Sequence, residues 1–179
     1  MIERQIKMVQ KNSFRPRVVV SRCLGFGRCR WNGVEIEASV IGSYRERLEF
    51  IPVCPECEIG LGMPRPPIRI VAVHDKLTLV QPSTGRDLSR QMDEFSNAFL
   101  ARQPPPEGFL LKSRSPSCGL YDTPVFSGPT ATDSLPQKDG PGFFARAILK
   151  CFPAKSVIDE RRLADPATAR AWLQAIGAV

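Results

Sequence analysis

Three of the six cysteines in this 179-residue chain, Cys23, Cys54 and Cys118, each come just after a short apolar run. Cys23 follows RVVVSR, Cys54 closes FIPV, and Cys118 lies a few residues beyond FLLKSR. Runs of this length and composition read as buried strands. In an open sheet of parallel strands, residues just past the carboxyl ends gather along one rim. Three thiols from distant parts of the chain would then face one site. Their separations of 31 and 64 positions match no local cluster motif, so placement carries the argument. Three thiolates without a fourth protein partner suit an iron-sulfur cluster that leaves one iron open to substrate. Taken singly, each cysteine also reads as a small buried hydrophobe.

The other cysteines carry weaker signals. Cys54 and Cys57 form a CxxC. A structural zinc site would need a second pair of ligands at similar spacing, and Cys29, Cys118, Cys151 and His74 do not supply one. A redox CxxC opens a helix, whereas Glu58, Ile59 and Gly60 lead straight into a stretch rich in Gly and Pro. Cys151 shares a helical phase with Phe144, Ala147 and Ile148, which predicts a core residue. Cys29 sits in a Gly-rich loop between Arg28 and Arg30, where neighbouring positive charge favours a thiolate; packing within the loop is the other reading.

The elements that must position these residues alternate. Arg17 to Ser21 reads as a buried strand, followed by the loop LGFGRCRWNG. Ile36, Val40, Ile41, Tyr44 and Leu48 predict one face of a helix over 36–48, and Phe50 to Val53 is the second strand. Ile68 to Val73 and Leu77 to Gln81, either side of the polar turn at His74, Asp75 and Lys76, predict a hairpin at or beside the sheet edge. Asp87 offers a cap for a helix carrying Leu88, Met92, Phe95 and Phe99. Phe109 to Lys112 is the next strand, and Tyr121 to Gly140, rich in Pro, Gly, Ser and Thr, reads as a lid or a mobile loop. A helix through Phe144 and Ile148, a strand at Ser156 to Ile158, and a final helix with Asp165 as cap and Pro166 at its first position complete the pattern. The expectation is an α/β fold: a mostly parallel open sheet, Rossmann-like, with helices on both faces and an added β-hairpin. Residues 1–16 are expected to be an N-terminal arm, and 17–179 a single domain.

Composition narrows the setting. Apolar residues make up 42% and charged residues 24%, and no apolar run approaches the length of a membrane span. MIERQIKMVQKNSFRPR lacks the apolar core of a secretory signal, which points to the cytoplasm. In that reducing compartment cysteines serve as ligands, reactive thiols or core residues rather than disulfides. The net charge of +7 favours anionic partners only weakly, because the basic residues are dispersed and Arg161 and Arg162 lie beside Asp159 and Glu160.

Several of these segments together resemble the bacterial thiouracil desulfidase family. The matching stretches are VSRCLGFGRCRWNG up to Gly33, PVCPECEIGLGMPRPPIRIV over 52–71, TGRDL over 84–88, and GFLLKSRSPSCGLY over 108–121, with GFFARAILKCFP and ERRLADP further on. The resemblance is nearest to a subgroup in which such a domain precedes a second, C-terminal domain, which is not expected in this chain. It implies an α/β fold, a [4Fe-4S] cluster held by three cysteines matching Cys23, Cys54 and Cys118, and conversion of 2-thiouracil to uracil and sulfide. Cys57 falls where relatives often carry an aliphatic residue. For that chemistry Glu56, two residues after Cys54, is the candidate base, with Glu58 as rival. Ser115 and Ser117 are candidates to orient substrate or relay a proton, or else to bond the turn's own backbone. Arg65 is a candidate contact for the substrate ring or for the Glu network. The expected partner is a small thiolated pyrimidine. The alternatives are a thiolated nucleoside or tRNA base, and a non-enzymatic metal-containing module that binds nucleic acid.

Overall fold

The computed structural model describes residues 14–36, 39–73, 76–102, 104–127 and 136–179. Most of the expected N-terminal arm, the turn at His74 and Asp75, and the middle of the 121–140 segment lie outside the described residues.

Four strands form a parallel sheet: β1 (Arg17–Ser21), β2 (Glu49–Val53), β6 (Gly108–Leu111) and β9 (Ser156–Asp159), in the order β2-β1-β6-β9. Val18, Val19 and Val20 of β1 are almost wholly buried, as a β-branched run covered on both faces should be. The register is level, with Ser21 opposite Val53 and Val20 opposite Leu110, so the three strands end together. From β1 the chain crosses to β2 on one side, while β6 and β9 continue on the other. The order therefore reverses between β1 and β6, which opens a crevice above their carboxyl ends.

Both faces of this sheet are covered. Val18, Val20, Leu110 and Ile158 pack with α5 (Glu160–Leu163) and α6 (Pro166–Ala175) through Leu163, Trp172 and Leu173. Gly108 lets α6 approach closely: a Cβ there would stand 2.8 Å from Ile176 Cγ2. Asp165 caps α6 as predicted, with its side chain accepting from the Thr168 amide at 2.8 Å and Pro166 starting the helix. On the other face Val19, Val53, Phe109 and Leu111 meet α3 (Ser89–Arg102) and α4 (Phe143–Cys151) through Leu100, Phe144 and Ile148.

The predicted hairpin is present as β3 (Arg69–Val73) and β4 (Lys76–Gln81), but it belongs to a second sheet of order β5-β4-β3-β7-β8. Its other strands are β5 (Arg86–Asp87), β7 (Thr123–Ser127) and β8 (Lys138–Gly140), so the ends of the segment read as a lid are paired strands. Helices α3 and α4 serve both sheets. Met92 and Phe143 pack with Ile70, Leu79 and Val125, whereas Leu100 and Phe144 pack against the parallel sheet.

Two local expectations are corrected. The helix expected over 36–48 is the four-residue α1 (Ser39–Gly42) followed by turns, because Gly42 and Ser43 are poor continuers, although Ile41 and Leu48 still reach the core. Cys151 is exposed, since α4 ends there and Phe152 takes the inner place, 5.5 Å from the Phe109 ring. Among the described residues no helix is long and apolar enough to cross a membrane.

Phe144 joins the two layers, with its ring 5.8 Å from Phe99 and 6.3 Å from Phe95 and no exposure to solvent. Phe144→Ala is expected to cost about 3–5 kcal/mol by cavity formation, read from denaturant unfolding of the purified variant.

Candidate functional site

The crevice at the carboxyl ends is a cavity of about 660 Å³, and Cys23, Cys54 and Cys118 all line it, together with Cys29, Glu56, Arg65 and Ser115. Each of the first three thiols is delivered by a different loop. Cys23 lies two residues past β1, in a turn closed by the Leu24 amide donating to Ser21 O at 2.9 Å. Cys54 is the residue between β2 and α2 (Pro55–Glu58), in extended conformation with Pro55 starting the helix, so the chain leaves the sheet abruptly at the thiol. Cys118 ends the Ser-Pro-Ser turn after β6.

That last turn is held from outside. The amides of Phe143 and Ala145, in the first turn of α4, donate to Pro116 O and Ser117 O at 3.0 and 3.1 Å, and the Gly142 amide donates to Gly119 O at 2.8 Å. The donors a helix start leaves unsatisfied thus fasten the Cys118 loop. Contact is too close for a side chain at 142, where a Cβ would stand 2.5 Å from Ser117 C and O. At its base the loop is tied by Glu160, which accepts from Lys112 Nζ, the Ser113 amide and Ser113 Oγ. Burial alone would raise the Glu160 carboxyl, but these hydrogen bonds together outweigh it and hold the group below the usual glutamate value. Within the loop Arg114 adopts φ 57°, a left-handed conformation strained for a residue with a side chain, and its amide donates to Asp122 Oδ1 at 2.9 Å.

Glu56 stands at the centre of the polar wall. Its Oε2 accepts from Arg65 Nε at 2.9 Å, and its Oε1 accepts from Ser117 Oγ at 3.1 Å. The Arg65 guanidinium, 5% exposed, also donates to Cys29 O at 3.0 Å and Gly62 O at 3.2 Å. Burial opposes its charge, yet the adjacent Glu56 carboxylate outweighs that cost and holds Arg65 above its ordinary pKa. Of the residues expected from sequence, Ser117 is fully buried on Glu56, while Ser115 Oγ accepts from the amides of Ser117 and Cys118 at 3.2 and 3.1 Å. Glu58 instead pairs with Arg22 at 2.8 Å.

Four of the thiols are shifted upward. Burial pushes Cys118 to about 12, contact with the Cys23 thiol pushes Cys29 to about 12, and burial pushes Cys57 to about 11. Cys54 rises above the usual thiol range through its hydrogen bond with Cys29 and its burial. Such thiols hold their protons at neutral pH, so a metal taking them as thiolates must displace those protons. Among the described residues no three of His, Cys, Asp and Glu gather tightly enough to chelate a single ion. A donor set of three cysteines from three loops around one cavity instead fits a multinuclear cluster, in which each thiolate takes its own iron.

The description 2-thiouracil desulfurase matches residues 18–160, which span every element from β1 to β9. The chain belongs to the 2-thiouracil desulfurase family. Among curated proteins, the uncharacterized protein YbbK of Bacillus subtilis (strain 168) is 29% identical over 127 residues, covering 65% of this chain and 83% of YbbK. Among solved structures, the [4Fe-4S]-dependent thiouracil desulfidase TudS aligns with TM-score 0.62 and 23% identity, over 88% of this chain and 99% of that one. This likeness establishes that the two share the α/β fold.

Sequence reasoning placed the three cysteines and Glu56 on one wall. It missed Lys112, Glu160 and Gly142, whose signals are a lysine closing a buried strand, an acid opening a helix, and a glycine before an aromatic pair.

Two tests follow from this geometry. Gly142→Ala is expected to displace the Cys118 turn and reduce iron incorporation severalfold, measured as iron per chain after anaerobic reconstitution. Because the folded-state pKa of Glu160 is depressed, its stabilisation is present above the ordinary carboxyl value and disappears as pH falls through the folded one. Unfolding midpoints should therefore drop more steeply below about pH 4.3 for wild type than for Glu160→Gln.

Proposed function

We propose that this protein is a cytoplasmic [4Fe-4S]-dependent desulfidase that converts a thiolated pyrimidine, 2-thiouracil, to uracil and sulfide. The observation that carries the reading is that three cysteines from three loops share one cavity wall with a carboxylate, in a member of this family. Cys23, Cys54 and Cys118 would hold the cluster. When bound, it supplies an iron with no protein ligand, a soft Lewis acid suited to a thiocarbonyl sulfur.

The chain's own residues account for the proton. Glu56 takes one proton from the attacking water, whose oxygen bonds to the ring carbon; the second water proton passes to the sulfur as the carbonyl forms, the carbon–sulfur bond breaks and hydrosulfide departs. No net electron transfer is needed. Arg65 fixes one carboxylate oxygen and Ser117 the other, so the base is oriented before substrate arrives. Ser115 accepts two amide protons and its hydroxyl is in hydrogen-bond contact with the Cys118 thiol, so its own proton reaches a substrate carbonyl or a relay by leaving that contact.

A second reading, in which the same base is carried in a nucleoside or tRNA, is favoured by the cationic mouth of the cavity. Arg30 and Arg114 line it, and among the described residues no carboxylate forms an ion pair with either guanidinium. Rates on free base, nucleoside and thiolated tRNA separate the two readings, and a steep fall with salt is expected only for the tRNA substrate.

The decisive experiment is anaerobic reconstitution followed by iron and sulfide counts and a 2-thiouracil turnover assay. Alanine at Cys23, Cys54 or Cys118 is expected to abolish both cluster and turnover, whereas Cys57→Ala and Cys151→Ala keep the cluster. Glu56→Gln should keep the cluster and lower kcat by about 10²–10⁴-fold. Loss of iron from Cys57→Ala as complete as from Cys54→Ala would overturn the ligand assignment.

A further inference from the structure

Trp31 lines the same cavity as Glu56 and the three cysteines, yet it is 47% exposed. A large aromatic side chain left half in water calls for a reason, because its burial would be strongly favourable. Its backbone is not loose. The Arg65 amide donates to Trp31 O at 2.8 Å, Arg65 Nη2 donates to Cys29 O two residues earlier, and the Gly33 amide closes a turn on Arg30 O at 2.9 Å. The guanidinium that fixes Glu56 therefore also fixes the segment carrying the indole.

One other aromatic residue, Phe126, lines the cavity, and the Arg69 guanidinium stands over its ring at 4.8 Å from the centroid. Among the described residues no ring or guanidinium stacks on Trp31. The indole is thus an aromatic surface on a pinned segment, free to accept a flat ring.

We propose that Trp31 is the stacking platform for the pyrimidine ring of the substrate, an inference that rests on the desulfidase reading of this site. A ring held only at its sulfur swivels, and attack by water on the ring carbon requires that one face be presented steadily to Glu56. Contact with an indole face restrains that rotation, and base–aromatic stacking is tolerant of the groups around the ring. Trp31 is in this view a positioning and binding residue, and proton transfer stays with Glu56.

The test compares cluster-loaded wild type, Trp31→Ala and Trp31→Phe under anaerobic conditions. Labelled uracil, which has the ring but no soft sulfur, is used in equilibrium dialysis, and 2-thiouracil in turnover. Stacking of ordinary strength predicts about tenfold weaker uracil binding and a similar rise in KM for Trp31→Ala. The kcat should fall as well, because the ring is no longer held facing Glu56, and Trp31→Phe should restore binding, KM and kcat together. Uracil affinity of Trp31→Ala within threefold of wild type, or a loss in Trp31→Phe as large as in Trp31→Ala, overturns the platform. If loaded wild type releases no sulfide while uracil binding still depends on an aromatic residue at 31, the desulfidase reading fails and the platform stands. Sulfide release with uracil binding indifferent to residue 31 upholds the desulfidase reading and removes the platform.

Discussion

A buried guanidinium holds the polar wall together. Arg65 reaches Glu56, Cys29 O and Gly62 O with its side chain and Trp31 O with its amide, so one residue joins α2, the loop after β1 and the chain leading to β3. A charge this deeply placed is tolerated only because a carboxylate faces it, and removing one member of such a pair costs about 3–5 kcal/mol. Glu56 consequently has a structural duty as well as its proposed chemical one. Loss of its charge strands Arg65, and loss of the Arg65 side chain frees Glu56, Cys29 O and Gly62 O together. Substitutions at the base must therefore preserve shape before their kinetics can be read.

The wall can be built this way because the sheet beneath it is level. Ser21 pairs with Val53 at the ends of β1 and β2, and Leu110 of β6 lies beside Val20, so the departing loops start from one plane. Both faces of the sheet are covered, and the crevice falls where the strand order reverses. At the rim, where Val53 and Cys118 of the apolar interior meet the crevice, the loops are tied by backbone hydrogen bonds, Arg65 and Glu160. Rigid strands thus set where the loops begin, and helix-start amides and buried ion pairs set where they end.

Much of this was legible in the residues. A β-branched run before Cys23, FIPV before Cys54 and FLL before the Cys118 turn are local signals of buried strands, and the reversal rule converts them into convergence. Asp165 followed by Pro166 likewise announces its helix without help from tertiary structure. The second sheet was illegible for a physical reason. Its β3–β7 pairing joins Ile70 to Val125 across a long stretch of chain, and β7 and β8 lie in a segment whose Pro, Gly, Ser and Thr content resembles a loop. Strand propensity there is weak, and partner strands supply what local sequence does not. The helix near Ile41 failed differently: its apolar spacing marked Ile41 and Leu48, which are buried, and was wrong about the backbone joining them.

The cysteines show why counting residue types overstates a site. Cys29 is buried and touches the thiols of Cys23 and Cys54, yet its clearest contribution comes from its carbonyl, which accepts from Arg65 and from the thiols of Cys54 and Cys57 at 3.6 and 3.9 Å. Any residue offers a carbonyl there. Cys57 does not line the cavity, and Cys151 is exposed at the end of α4. What separates Cys23, Cys54 and Cys118 from the other three is position rather than chemistry: each follows a strand of the parallel sheet at the rim where that sheet opens. Cys29 lines the same cavity but sits further along the loop after β1, whereas Cys57 and Cys151 lie outside it.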